Sequence, residues 1–172
     1  MGRGGCCSQD DPGVPRVSPK VELLLALQER AFRTSPWHSL LNSLDGVPDD
    51  VFVRAPEKHS GFPWMDGSIR DIVYHVTGDK VVQLSHAFGD GSVTWESVKV
   101  ARASLGSMVE QLLEAHAHLA ETLKQQSDES LGNKVRTWGG KTMTACDFFL
   151  MLVEHDVYHA GQIRMLRNLY EV

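Results

Sequence analysis

Helical periodicity constrains this chain more than any other feature, and one segment carries it furthest. Between residues 94 and 126, Val98, Leu105, Met108, Leu112, Ala115 and Leu119 share one face of a helix. Thr94 is the residue type that caps such a helix. Three further segments repeat the pattern. Between residues 21 and 44, Leu24, Leu27, Phe32, Trp37, Leu41 and Leu44 recur every three to five residues. Ser35 followed by Pro36 reads there as an N-cap and first helical residue, so the helix is expected to bend or restart. Ser68 stands three residues before Asp71 and opens a helix to about Phe88, where Gly89-Asp90-Gly91 ends it. Thr144 stands three residues before Asp147 and opens the last helix, which continues to about Tyr170.

The segments between these helices carry turn signals. Gly46, Pro48, Pro56, Gly61 and Pro63 forbid long regular structure between residues 45 and 66. Residues 134–138, Gly139-Gly140, Thr142 and Met143 read as a small β-hairpin. Four long helices with one hairpin predict an all-α fold, a four-helix bundle. The Gly, Pro, Ser and Asp content of residues 1–18 predicts a disordered tail, leaving one domain over residues 19–172.

Charge and composition exclude several functions. The net charge is −5 and no lysine/arginine block is present, so nucleic acid and anionic membranes are poor partners. No apolar run is long enough to span a bilayer, and no apolar leader opens the chain. Three cysteines without framework spacing fit a reducing cytoplasm. Cys6 occupies the position where a myristoylation signal needs Ser or Thr, so MGRGGCCS reads as tail, and the Cys6-Cys7 pair as incidental.

The chemistry concentrates in the last helix. In EHDVYHAGQIR, His155 and His159 are four residues apart. On a helical wheel they fall on the apolar stripe with Phe148, Leu152, Gln162, Ile163 and Leu166, so both face the interior. One-turn spacing lets two imidazoles reach one ion at roughly 2.0–2.1 Å. His75 lies on the inward stripe of the second long helix with Ile72, Val76, Asp79 and Val82. Three inward histidines from two helices can form an open His₃ site, with remaining positions left for water or substrate. The alternative is three core histidines that hydrogen-bond to backbone or to each other.

Other candidates are weaker. His86 shares the face of His75 but lies roughly 16 Å along the helix. His116 and His118 cannot share a face, and His38 is as well suited to the surface as to a pocket. Asp79 follows His75 by one turn and can be a ligand, a partner of a ligand, or an ordinary polar residue. Gln162 follows His159 closely and can meet substrate or water, or close the end of the core. Cys146 reads as a small buried residue of the last helix's first turn.

The His75-bearing string SIRDIVYHV and the later HDVYHAGQIR, with this helix order and length, resemble the DinB/YfiT-like superfamily over about residues 19–172. The resemblance implies a four-helix bundle that holds a divalent metal through His75, His155 and His159. It implies zinc or nickel first, while an open His₃ site also suits iron or manganese. It implies a metal-dependent enzyme, a transferase using a low-molecular-weight thiol or a hydrolase, acting on a small molecule, with homodimers common. A non-catalytic metal or ligand-binding module of the same fold is the rival reading. The loop over residues 45–66, with His59 and Trp64, is expected to shape the mouth of the site.

Overall fold

Three of the four long helices begin where a hydroxyl takes up a free backbone N–H. Ser68 Oγ accepts the Asp71 N–H at 3.2 Å and opens α4 (Ile69–Phe88). Thr144 Oγ1 accepts the Asp147 N–H at 3.0 Å and opens α6 (Ala145–Leu169). Each satisfies one of the orphan donors of a first helical turn. The computed structural model describes residues 18–58 and 65–172. Residues 1–17, with Cys6 and Cys7, and residues 59–64, with His59 and Trp64, lie outside the described residues.

In chain order, α1 (Pro19–Glu29) runs directly into a π-helical turn at Arg30–Thr34. The short α2 (Leu40–Leu44) and α3 (Asp49–Phe52) follow, then α4, α5 (Leu105–Lys124), a hairpin of β1 (Lys134–Arg136) and β2 (Thr142–Thr144), and α6. The long helices α1, α4, α5 and α6 pack as a bundle: α4 lies against α5 and α6, and α1 against α5 and α6. The hairpin pairs Val135 with Met143 and rests on α4 and α6. Its tip needs two residues at positive φ, which Gly139 (+85°) and Gly140 (+83°) supply.

Two expected boundaries move. Thr94 does not open the third long helix. Its N–H bonds to Ser97 Oγ at 2.9 Å and its carbonyl takes the Val98 N–H at 2.8 Å, which closes one isolated turn. Gln111 then holds the backbone of Ala101 through both its N–H (2.8 Å) and its carbonyl (3.2 Å). That clamp keeps the segment beside the helix, and α5 begins at Leu105 after Ser104. Pro36 likewise does not restart the first helix. Ser35 Oγ accepts the His38 N–H in a tight turn, Trp37 is exposed, and α2 begins after Ser39.

The apolar core falls into two clusters. One gathers Phe32, Leu40, Val73, Val76, Leu112 and Ile163. The other gathers Val21, Leu24, Leu84, Leu119, Phe148 and Leu152. No helix among the described residues is long and apolar enough to cross a membrane.

Candidate metal centre

His75 sits on α4, and His155 and His159 sit one turn apart on α6, where the two helices pack. The three rings meet edge to face, with centroids 4.4–5.0 Å apart. His155 Nε2 lies 3.1 Å from His75 Nε2 and 3.1 Å from His159 Nε2. The three therefore turn ring nitrogens toward one point. Bonds of about 2.05 Å place two ligand nitrogens about 3.3 Å apart in a tetrahedral site and about 2.9 Å apart in an octahedral one. The observed spacing lies between those values, so the three residues could hold a metal ion.

Hydrogen bonds fix which nitrogen of His159 faces inward. Gln162 Nε2 donates to the Tyr158 hydroxyl at 3.0 Å, which leaves Gln162 Oε1 as an acceptor. That oxygen lies 2.7 Å from His159 Nδ1, so Nδ1 carries the proton and Nε2 presents its lone pair. Burial keeps the rings neutral. It pushes His155 down to about 2, with His159, His75 and Lys80 adding to the effect. It pushes His159 down to about 4, helped by His75 and Lys80 and opposed by Gln162. His75 is also lowered by burial, against the pull of Asp79. At 3.1 Å a ring N–H on either side would make such a contact a hydrogen bond, whereas two facing lone pairs would need a cation between them.

Asp79 lies behind His155, its Oδ2 3.8 Å from Nδ1. A neutral His155 makes this a carboxylate facing a ring N–H, not an ion pair. Burial raises the Asp79 carboxyl, and His75, Gln83 and Lys80 oppose that rise. Gln83 Nε2 donates to Asp79 Oδ1 at 3.2 Å. Trp95 lies nearly parallel to His75 at 5.5 Å, seated over Gly78.

The triad opens into a cavity of about 490 Å³. Ile72, Met65, Met165, Leu166 and Leu169 make apolar walls, while Lys58, Tyr158 and Gln162 add polar groups. The other sequence candidates lie elsewhere. His86 Nε2 meets the Val93 carbonyl at 3.1 Å. His38 and His118 are exposed, and Cys146 packs at the second apolar cluster. His116 is buried, stacks on Phe32 at 3.6 Å, and hydrogen-bonds Glu29 at 3.2 Å. Burial pushes it down to about 3, with Lys80 and Arg33 adding to the effect, so this too is a neutral contact.

Three neighbours escaped the sequence pattern. Lys80 and Asp156, fully buried on α4 and α6, form an ion pair beside the triad, Asp156 directly following His155. Lys80 follows Val73 and Val76 on the buried face, so its periodicity carried a signal that its charge concealed. Trp95 carried no signal, because it stands in a loop.

No curated protein matches the chain closely enough to name a relative. The family model of the DinB superfamily matches residues 27–163, which include all three histidines, the whole of α4 and α5 and most of α6. With the helical bundle, the hairpin before its last helix and the His75–His155–His159 cluster in place, the chain belongs to the DinB superfamily.

Proposed function

We propose that this protein is a metal-dependent enzyme. It binds a divalent ion, zinc or nickel first, through His75, His155 and His159, and acts on a small molecule in the adjoining cavity. The observation that carries the reading is the convergence of three neutral imidazoles at the wall of an apolar cavity. A bound ion supplies Lewis acidity, which lowers the pKa of a thiol or water at its open positions. The chain supplies the rest. Gln162 and Tyr158 orient His159, Ile72 and Leu166 exclude water, and Lys58 sets a cation at the rim for an anionic end of the substrate.

No carboxylate appears among the described lining residues, so either nucleophile, thiol for a transferase or water for a hydrolase, relies on the ion to lower its pKa. The same feature is what a non-catalytic binding module would show, and turnover separates the two. A homodimer through the exposed α6 residues Tyr158, Met165 and Leu169 would set the second copy against the mouth of the cavity, which the same residues line. Light scattering at twice the chain mass supports it, and a monomer at all concentrations removes it.

The first test is metal content by elemental mass spectrometry on the purified protein beside His159→Ala. Near-stoichiometric metal that the substitution abolishes is the expected result. No metal in either protein, even after incubation with zinc or nickel, sinks the reading. Metal-loaded protein is then assayed with thiols and small electrophiles, and turnover lost with His159→Ala identifies the enzyme.

A further inference from the structure

A backbone N–H can only donate a hydrogen bond, and one such group stands at the end of a chain leading to the triad. The Trp138 N–H, at the hairpin tip, donates to Gln83 Oε1 at 3.1 Å. With its oxygen so engaged, Gln83 must turn its amide nitrogen the other way, and Nε2 donates to Asp79 Oδ1 at 3.2 Å. Asp79 is thereby held as an acceptor, and its second oxygen, Oδ2, faces His155 Nδ1 at 3.8 Å. His155 Nδ1 is buried and has no closer hydrogen-bond partner among the described residues. Every link points one way, from a donor fixed by the main chain toward an acceptor beside the imidazole.

We propose that Gln83 is a positioning residue that transmits this polarity from the hairpin to the metal centre. It keeps Asp79 oriented to accept from His155 Nδ1–H, so that His155 Nε2 presents its lone pair beside His75 and His159. The proposal rests on the metal reading for its purpose, but its geometry stands in the metal-free chain. A second contact from the same hairpin residue reaches the site through the indoles. The Trp138 ring meets Trp95 edge to face at 6.4 Å, and Trp95 lies over His75 at 5.5 Å. The hairpin thus reaches one histidine through two hydrogen bonds and the 3.8 Å approach of Asp79, and another by packing, although it contributes no ligand. His159 is independent of this chain, because Gln162 and Tyr158 hold it from α6 itself.

That independence supplies the control. Full-length protein with ¹⁵N-labelled histidine, freed of metal, is compared with Gln83→Met and Gln83→Glu by long-range proton–nitrogen spectra. Gln83→Met removes both polar groups. Gln83→Glu is nearly isosteric, keeps an acceptor for the Trp138 N–H, and loses the donor to Asp79. In the unaltered protein His155 carries its proton on Nδ1. In both variants that preference weakens toward a tautomer mixture, while His159 remains protonated on Nδ1. Zinc affinity, measured by competition with a chelator, falls about tenfold, at the low end for groups that orient ligands. His155 protonated on Nδ1 to the same extent in all three proteins overturns the proposal. Failure of the unaltered protein to take up zinc counts against the metal reading alone, since the tautomer comparison still decides the role of Gln83.

Discussion

A neutral imidazole has one bare nitrogen, and its neighbours decide which one it turns to a ligand. For His159 the decision rests with Gln162, whose oxygen lies 2.7 Å from Nδ1. Gln162→Leu removes that acceptor and is expected to weaken zinc binding about tenfold or more, whereas Gln162→Glu retains an acceptor and most of the affinity. Chelator competition reads both, and equal affinities for Leu and Glu would remove the orienting role. Protonation gives a second prediction. His155, His116 and His159 sit at about 2, 3 and 4 in the fold, and His75 is lowered as well, against 6.5 as their ordinary value. The unfolded chain therefore binds more protons, so the stabilising contribution is complete above pH 6.5 and is lost as pH falls toward the folded values. Each such group can add a slope of up to about 1.4 kcal/mol per pH unit. Asp79 and Asp156, raised by burial, act with the opposite sign, but four histidines outweigh two carboxyls. Urea unfolding of the metal-free protein is expected to give markedly lower stability at pH 5 than at pH 7, and a flat profile would contradict it. The three histidines were legible because one-turn spacing and an inward stripe are properties of sequence alone. Their orienting partners were not, since Gln162 stands in the same string but only geometry shows which of its atoms meets which ring.

At the level of elements, capping residues were read correctly where nothing competed for them. Ser68 and Thr144 each have the helix as their nearest hydrogen-bonding option. Thr94 had a rival three residues on, and Ser97 took its place in a closed turn. Gln111 made the difference lasting by binding Ala101 from within α5, a contact across ten residues that no capping rule contains. The turn that results places Trp95 over Gly78 of α4. A Cβ built on Gly78 would stand 2.6 Å from the Trp95 ring. Gly78→Ala gains about 1 kcal/mol in helix propensity, against about 1–3 kcal/mol for overpacking. The net expectation is a loss of stability, with Trp95 displaced from His75 and its emission shifted to the red. A higher melting temperature with unchanged emission would mean that the indole yields without consequence.

Across the whole molecule, the two apolar clusters are separated by a polar layer that crosses the bundle. On α4 the first cluster ends at Val76 and the second begins at Leu84, with Lys80 between. On α6 Asp156 lies between Leu152 and Ala160, and on α5 His116 lies between Leu112 and Leu119. Gln28 occupies the same interval on α1, between Leu24 and Phe32. All four are buried, and Lys80 Nζ stands 6.0 Å from the Phe32 ring on which His116 stacks. The bundle was legible as a whole because each helix shows its stripe separately. The layer was not, because Lys80 and Asp156 meet across 76 residues and each alone resembles a surface charge. Desolvating both charges cancels much of their attraction, so the pair adds little net stability, while either charge left alone is costly. Lys80→Met is therefore expected to destabilise by about 3–5 kcal/mol, and Asp156→Leu by a similar amount. The double variant should recover most of that loss, since an apolar pair of similar volume fits between two apolar clusters. Denaturant unfolding of the four proteins closes the cycle. Additive losses would show that the two charges act separately. A double variant that recovers stability but binds zinc less tightly would show that the pair also sets how α4 and α6 align the neighbouring histidines.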